Sequence, residues 1–157
     1  MTNCWLSSWS ISNQSSYKYI IQTFPFIHRA LWQQRLLNQS PPSKNLLFFG
    51  CREESENLFH DETKSILERQ VAYSREENKK KQYVQELILK EQHQVFHFIN
   101  GNQKASVFIC GRTEMAKAAK EALIQIFINV DGVDRKQAIG QIKEMKRNGK
   151  LREEHFG

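Results

Sequence analysis

Glycine, proline and cysteine are scarce in this chain, at seven, three and three of 157 residues. Cys4, Cys51 and Cys110 are too few and too scattered for a disulfide framework. No CxxC pair or histidine cluster offers zinc ligands, so no metal site is expected. Free thiols point to a reducing compartment, and a cytoplasmic location is expected. No run of eighteen apolar residues exists, which excludes a membrane span by the hydropathy rule. The opening MTNCWLSSWSISNQSS has neither a basic nor an apolar signal region, so it does not read as a secretory signal. There is no internal repeat.

What is present suits one domain with a sizeable core. Hydrophobic residues make up 39% and charged residues 25%, ordinary values for a globular protein. The net charge of +6 favours an anionic partner without choosing between nucleic acid, membrane and a phosphorylated small molecule. No recognised nucleic-acid motif accompanies the charge.

Residues 1–16, rich in Ser and Asn, read as a poorly ordered leader. Tyr17–Thr23 is a candidate strand. Pro25–Leu37 reads as a helix with Pro25 in its first turn, broken by the SPPS run at 40–43. NLLFFGCR and ASVFIC (105–110) are continuous apolar runs, the pattern of strands covered on both faces. Residues 57–69 read as helix, Val71–Ser74 as a short strand, and 83–99 as one long helix stopped by Asn100-Gly101-Asn102. Thr113 is a candidate cap for a helix running to about Asn129, and Asp134 for one ending near Asn148. Strands alternating with helices mean βαβ units and a parallel sheet, with ligands bound at the carboxyl ends of the strands. The strand-end segments Gly50-Cys51-Arg52, Ser74-Arg75 and Cys110-Gly111-Arg112 should then share one edge.

The stretch AYSREENKKKQYVQ, residues 72–85, carries unusual chemistry for a loop. Ser74 offers a hydroxyl, Arg75 a planar fork that can hold a phosphate, and Lys81 a mobile charge. Tyr83 offers a flat face for a purine, and Gln85 both donates and accepts. The set fits a nucleotide with an extra phosphate on its ribose. It also fits a basic surface turn with Tyr83 packed as a core residue at the helix start.

Several blocks, in order over residues 25–157, resemble the diflavin NADPH reductases. SREENKKKQYVQ is similar to that family's Ser-Arg…Lys-x-Tyr-Val-Gln signature. LFFGCRE (47–53), FHDE (59–62), VFICG (107–111), Met-Ala-Lys (115–117), LREEHFG (151–157) and WQQRL (32–36) resemble its other blocks. The family includes cytochrome reductases, nitric oxide synthase reductase domains, methionine synthase reductase and the diflavin enzyme of cytosolic iron–sulfur assembly. The resemblance implies an α/β fold, a parallel-sheet Rossmann-like domain akin to ferredoxin-NADP reductase.

It also implies roles. Ser74, Arg75, Lys81 and Tyr83 would hold the 2′-phosphate and adenosine of NADPH, with Gln82, Val84 and Gln85 completing the wall. Arg52 and Met115 would meet other parts of the cofactor. Cys110 would lie beside the nicotinamide, or be a small buried hydrophobe. Glu154 would stabilise charge during hydride transfer, or be a solvated tail carboxylate. Phe156 would stack on a flavin, or simply pack. The implied reaction passes hydride from NADPH to FAD, then electrons through FMN to an acceptor protein. A non-catalytic nucleotide-binding or reductase-docking module is the other reading.

The sequence departs from the pattern in places. Where the family has a Gly-rich turn before the first helix, this chain reads IIQTFPFI, and its first glycine is Gly50. The connection between His60 and Val71 is shorter than the pattern. Arg112 stands where an acidic residue is usual, and Ala118 where Asp is. Residues 1–24 are unmatched, so 25–157 is expected to be a truncated NADPH-binding subdomain without its FAD and FMN domains, inactive alone.

Overall fold

The computed structural model describes residues 17–22, 45–57, 68–101 and 105–156. The expected leader at 1–16, the helix at 25–37 and the FHDE segment lie outside them.

Five strands form one all-parallel sheet: β1 (Tyr17–Gln22), β2 (Asn45–Cys51), β3 (Glu68–Tyr73), β4 (Ala105–Arg112) and β5 (Leu151–Phe156). Their order is β3-β2-β1-β4-β5. The chain therefore builds outward from β1 on one side and then reverses to the other, which puts a topological switch point at the end of β1. Residues 17–22, within the stretch that no family block matches, are the central strand.

The four described helices are α1 (Val84–Lys90), α2 (Gln92–Asn100), α3 (Thr113–Ile126) and α4 (Arg135–Arg147). They bury their apolar sides with one face of the sheet. Leu46, Phe48, Ala72, Val107 and Ile109 from the strands join Leu87, Ile88, Val95, Leu123, Ile126 and Ile142 in one core. The period-two alternation sends Leu47, Phe49 and Phe108 to the opposite face, where they are buried in a second cluster. Removing a single Leu or Phe of this kind from water contributes about 1.5–3 kcal/mol. On α3, Ala116, Ala119, Ala122, Leu123 and Ile126 lie at helical spacing, so a row of small side chains seats this helix against the core.

Several boundaries differ from the sequence reading. Glu68 and Arg69, expected at a helix end, pair with Leu46 and Leu47 in the sheet. The helix expected over 83–99 divides at Glu91, whose backbone leaves helical geometry at φ −95°, ψ 25°. β4 continues past Gly111 because Arg112 pairs with Phe156. Arg112, not Thr113, is consequently the residue flanking the start of α3, and it makes no side-chain cap. After Ile126 the backbone widens into a π-helical turn, Phe127–Asp131. There Phe127 meets Phe96 edge to face, with centroids 5.8 Å apart.

The α4 signals hold as read. The Asp134 carboxylate accepts from the Gln137 amide at 2.8 Å, and the Gln137 side chain accepts from the Asp134 amide at 3.0 Å. Gly149, at φ 74°, adopts the left-handed geometry that ends α4 and turns the chain into β5.

β5 is a strand that the sequence does not advertise. Leu151 and Glu153 face the helices, and the Glu153 side chain is only 5% exposed although charged. Lys120 of α3 and Lys146 of α4 reach its two oxygens at 3.1 and 3.2 Å. This three-element ion pair fastens the edge strand to the helical layer.

Candidate functional site

The carboxyl ends of β2, β3 and β4 open into one cleft of about 820 Å³. Its walls follow from how the chain leaves each strand. Beyond β3 the backbone keeps pace with the exit of β2: the Ser74 amide donates to the Cys51 carbonyl at 3.0 Å and the Arg75 amide to the Arg52 carbonyl at 2.9 Å. The loop then runs out and returns, and the Gln82 amide donates to the Tyr73 carbonyl at 2.9 Å. The excursion 74–82 is thus tied at its neck. Asn78 turns the tip in the left-handed region, at φ 61°. α1 starts directly after, with the Tyr83 amide donating to the Glu86 carboxylate at 3.3 Å.

A side-chain network braces the same neck. The Tyr73 hydroxyl donates to the Glu54 carboxylate. The Asn57 amide donates to Glu54 at 2.9 Å and to the Tyr73 oxygen at 3.0 Å, while Arg69 donates to Asn57. Lys79 stacks over the Tyr73 ring at 4.5 Å. Burial, then the bond to Glu54, pushes the Tyr73 phenol above its ordinary range. It stays protonated and keeps donating.

Of the residues singled out in the sequence, Arg52, Ser74, Gln82, Tyr83, Val84, Gln85 and Met115 line the cleft. Arg75 and Lys81 do not, but each is bonded in the chain to a lining residue, and both are exposed. The Lys81 ammonium lies 5.0 Å over the Tyr83 ring. That ring is 42% exposed, so Tyr83 is not a core residue; Val84, the first residue of α1, is buried instead. The Ser74 hydroxyl donates to the Cys51 carbonyl at 3.3 Å, a long bond that a better acceptor could displace.

Cys110 and Glu154 lie outside the lining but beside each other, as register partners on β4 and β5. Cys110 is buried and Glu154 exposed. Burial, with the Glu154 charge second, raises the Cys110 thiol to about 11. Cys51, on the cleft wall, is raised to about 11 by burial and Glu56. Both thiols are neutral at physiological pH, which removes thiolate chemistry from the site. The backbone of Phe156 pairs with Arg112 at the end of the same strand pair.

Gly50, Cys51 and Arg112, expected on this edge from their strand-end positions, line the cleft. It also contains residues that sequence reasoning missed: Ser55, Glu56 and Glu114. The sequence reading places Arg112 on the edge but assigns it no role, and it stands as a departure from the family pattern. Among the described residues Arg52, Arg75 and Arg112 form no ion pair, whereas Glu114 is held by Lys117 at 2.8 Å. Glu56 accepts from the Arg52 amide at 2.8 Å. A rim of unpaired guanidinia beside an exposed phenol ring can hold a phosphorylated aromatic ligand. Among the described residues no cluster of His, Cys, Asp or Glu could hold a metal ion, and no helix is long and apolar enough to cross a membrane.

Comparison with known proteins agrees with this chemistry. The oxidoreductase NAD-binding domain family matches residues 27–121. NADPH–cytochrome P450 reductase of Saccharomyces cerevisiae is 34% identical over 119 residues, 71% of this chain and 17% of that protein. Nitric oxide synthase of Anopheles stephensi is 37% identical over 86 residues, 51% of this chain and 7% of that protein. NADPH-dependent diflavin oxidoreductase 1 of Candida albicans is 29% identical over 157 residues, 90% of this chain and 26% of that protein. The chain thus spans no more than 26% of the length of these three relatives.

Proposed function

The chain belongs to the oxidoreductase NAD-binding domain family, in the form carried by diflavin NADPH reductases, and on that premise we propose that its cleft binds NADPH through the 2′-phosphate of the adenosine. The observation that carries the reading is the convergence of Ser74, Arg52 and an exposed Tyr83 on one cleft whose guanidinia have no carboxylate partner among the described residues. Its volume of about 820 Å³ lies within the usual range of ligand sites, about 300–1,000 Å³.

In this reading Arg75 grips the 2′-phosphate with its fork, and Lys81 and Ser74 add donors. Tyr83 stacks against the adenine while Gln82, Val84 and Gln85 form the floor of the start of α1. Two guanidinium bonds to a dianionic phosphate contribute on the order of 1.5–3 kcal/mol each. That suffices to separate NADPH from NADH by well over tenfold. Arg52 and Met115 contact the remainder of the cofactor.

Bound NADPH supplies a hydride for a flavin, FAD, from which electrons go on through FMN to an acceptor protein. The residues here orient it. Cys110, as a neutral thiol, packs beside the nicotinamide without competing as a nucleophile. Glu154, beside it in register, offers a negative charge where positive charge develops on the ring. Phe156 would pack over a flavin held by a neighbouring domain. We place this binding in the cytoplasm, where thiols stay reduced.

The test is calorimetry on the purified chain with NADPH and NADH in the same buffer. The reading expects NADPH to bind at least tenfold tighter. Equal affinities, or no binding of either, would overturn it.

A further inference from the structure

We propose that Arg112 is a diphosphate-holding residue of this cleft, acting from β4 opposite Arg52 on β2. The inference rests on the NADPH reading above and extends it to the linker between the two halves of the cofactor.

The argument begins with strand order. β1 lies between β2 and β4, and Gln22 at its end is level with both Phe49 and Cys110. Arg52 follows Phe49 by three residues and Arg112 follows Cys110 by two. The two arginines therefore flank the end of β1, on strands roughly 10 Å apart at two strand spacings. Both line the cleft.

A dinucleotide with its adenosine at β3 and α1 and its nicotinamide at Cys110 must cross the sheet edge over β2, β1 and β4. That path is about 14 Å, three strand spacings. Its middle is the diphosphate, which carries the negative charge. Amide groups from a Gly-rich turn often meet this charge in such folds. Here no glycine precedes Gly50, so this sequence offers no glycine for such a turn. Side-chain cations can do that work, and among the described residues Arg52 and Arg112 line this path.

The nearby carboxylates leave Arg112 free for the task. Glu114 is held by Lys117 at 2.8 Å, and Glu56 accepts from the Arg52 amide at 2.8 Å. Arg112 is exposed and forms no ion pair among the described residues. Among the described residues nothing uses its charge, while two arginine forks can meet both phosphates at once.

The experiment titrates the full chain with NADP⁺ and with adenosine 2′-monophosphate, which has the 2′-phosphate but no diphosphate. Arg112→Gln should weaken NADP⁺ roughly tenfold and leave adenosine 2′-monophosphate within about twofold, the loss of one charge-assisted contact. Arg112→Lys, which keeps the charge without the fork, should recover part of the loss. Equal weakening of both ligands, or no weakening of NADP⁺, overturns the proposal for Arg112 while the NADPH reading stands. A wild-type chain that binds neither ligand overturns both.

Discussion

On the helical side of the sheet, Glu153 lies between Lys120 and Lys146, and Glu121 grips Arg135 through both guanidinium nitrogens at 2.6 and 3.0 Å. At the carboxyl rim, the guanidinia of Arg52, Arg75 and Arg112 hold no carboxylate among the described residues. The same residue types are thus spent differently in the two regions. Where charge joins elements, it is paired inside the chain. Where arginines surround the cleft, no carboxylate among the described residues pairs with them. The adjacent residues Glu153 and Glu154 show the contrast within one strand: one carboxylate, 5% exposed, lies between lysines, and the next residue stands exposed beside Cys110.

If that division is real, breaking a paired charge should damage stability and spare binding. Glu153→Ala should lower unfolding stability by about 3 kcal/mol, near the low end for buried pairs because both lysines can swing out to water. Urea unfolding would measure it, and calorimetry should find NADP⁺ affinity unchanged within a few-fold. A large loss of affinity with intact stability would dissolve the contrast.

The buried thiol of Cys110 sharpens the comparison on the other flank of the cleft. With its pKa raised from 9.0 to about 11, it should react with iodoacetamide at pH 8 about a hundredfold more slowly than a free thiol. The folded state favours the neutral form, so this burial stabilises fully below pH 9 and its contribution is lost as pH rises through about 11. Rate against pH, followed by mass spectrometry in a Cys4→Ser background, would show it. Rapid labelling at pH 8 would mean that the rim beside Glu154 is open to water.

Much of this architecture was legible in the sequence for identifiable reasons. β2 and β4 are apolar on both faces, so periodicity could not disguise them. Asp134 and Gln137 announce α4 through a local capping box that needs no tertiary contact. β5 was hidden because LREEHF holds a carboxylate in a buried position, which only the lysines of two distant helices make tolerable. Glu68 and Arg69 were misassigned for a similar reason: Arg69 enters the sheet by stacking over Phe49 at 4.8 Å and donating to Asn57. That the ends of β2, β3 and β4, with Arg52, Ser74 and Arg112, meet at one cleft was legible from the alternation of strands and helices. That Arg52 and Arg112 flank β1 was not, because it depends on strand order, which brings the end of β4 level with the end of β2 across β1.

The central claim is that the unpaired rim reads a phosphorylated ribose, and Arg75 is its most specific reader. Titrating Arg75→Ala with NADPH and NADH measures that directly. The account predicts a loss of roughly tenfold or more for NADPH and less than about twofold for NADH. Equal losses for the two cofactors would contradict it.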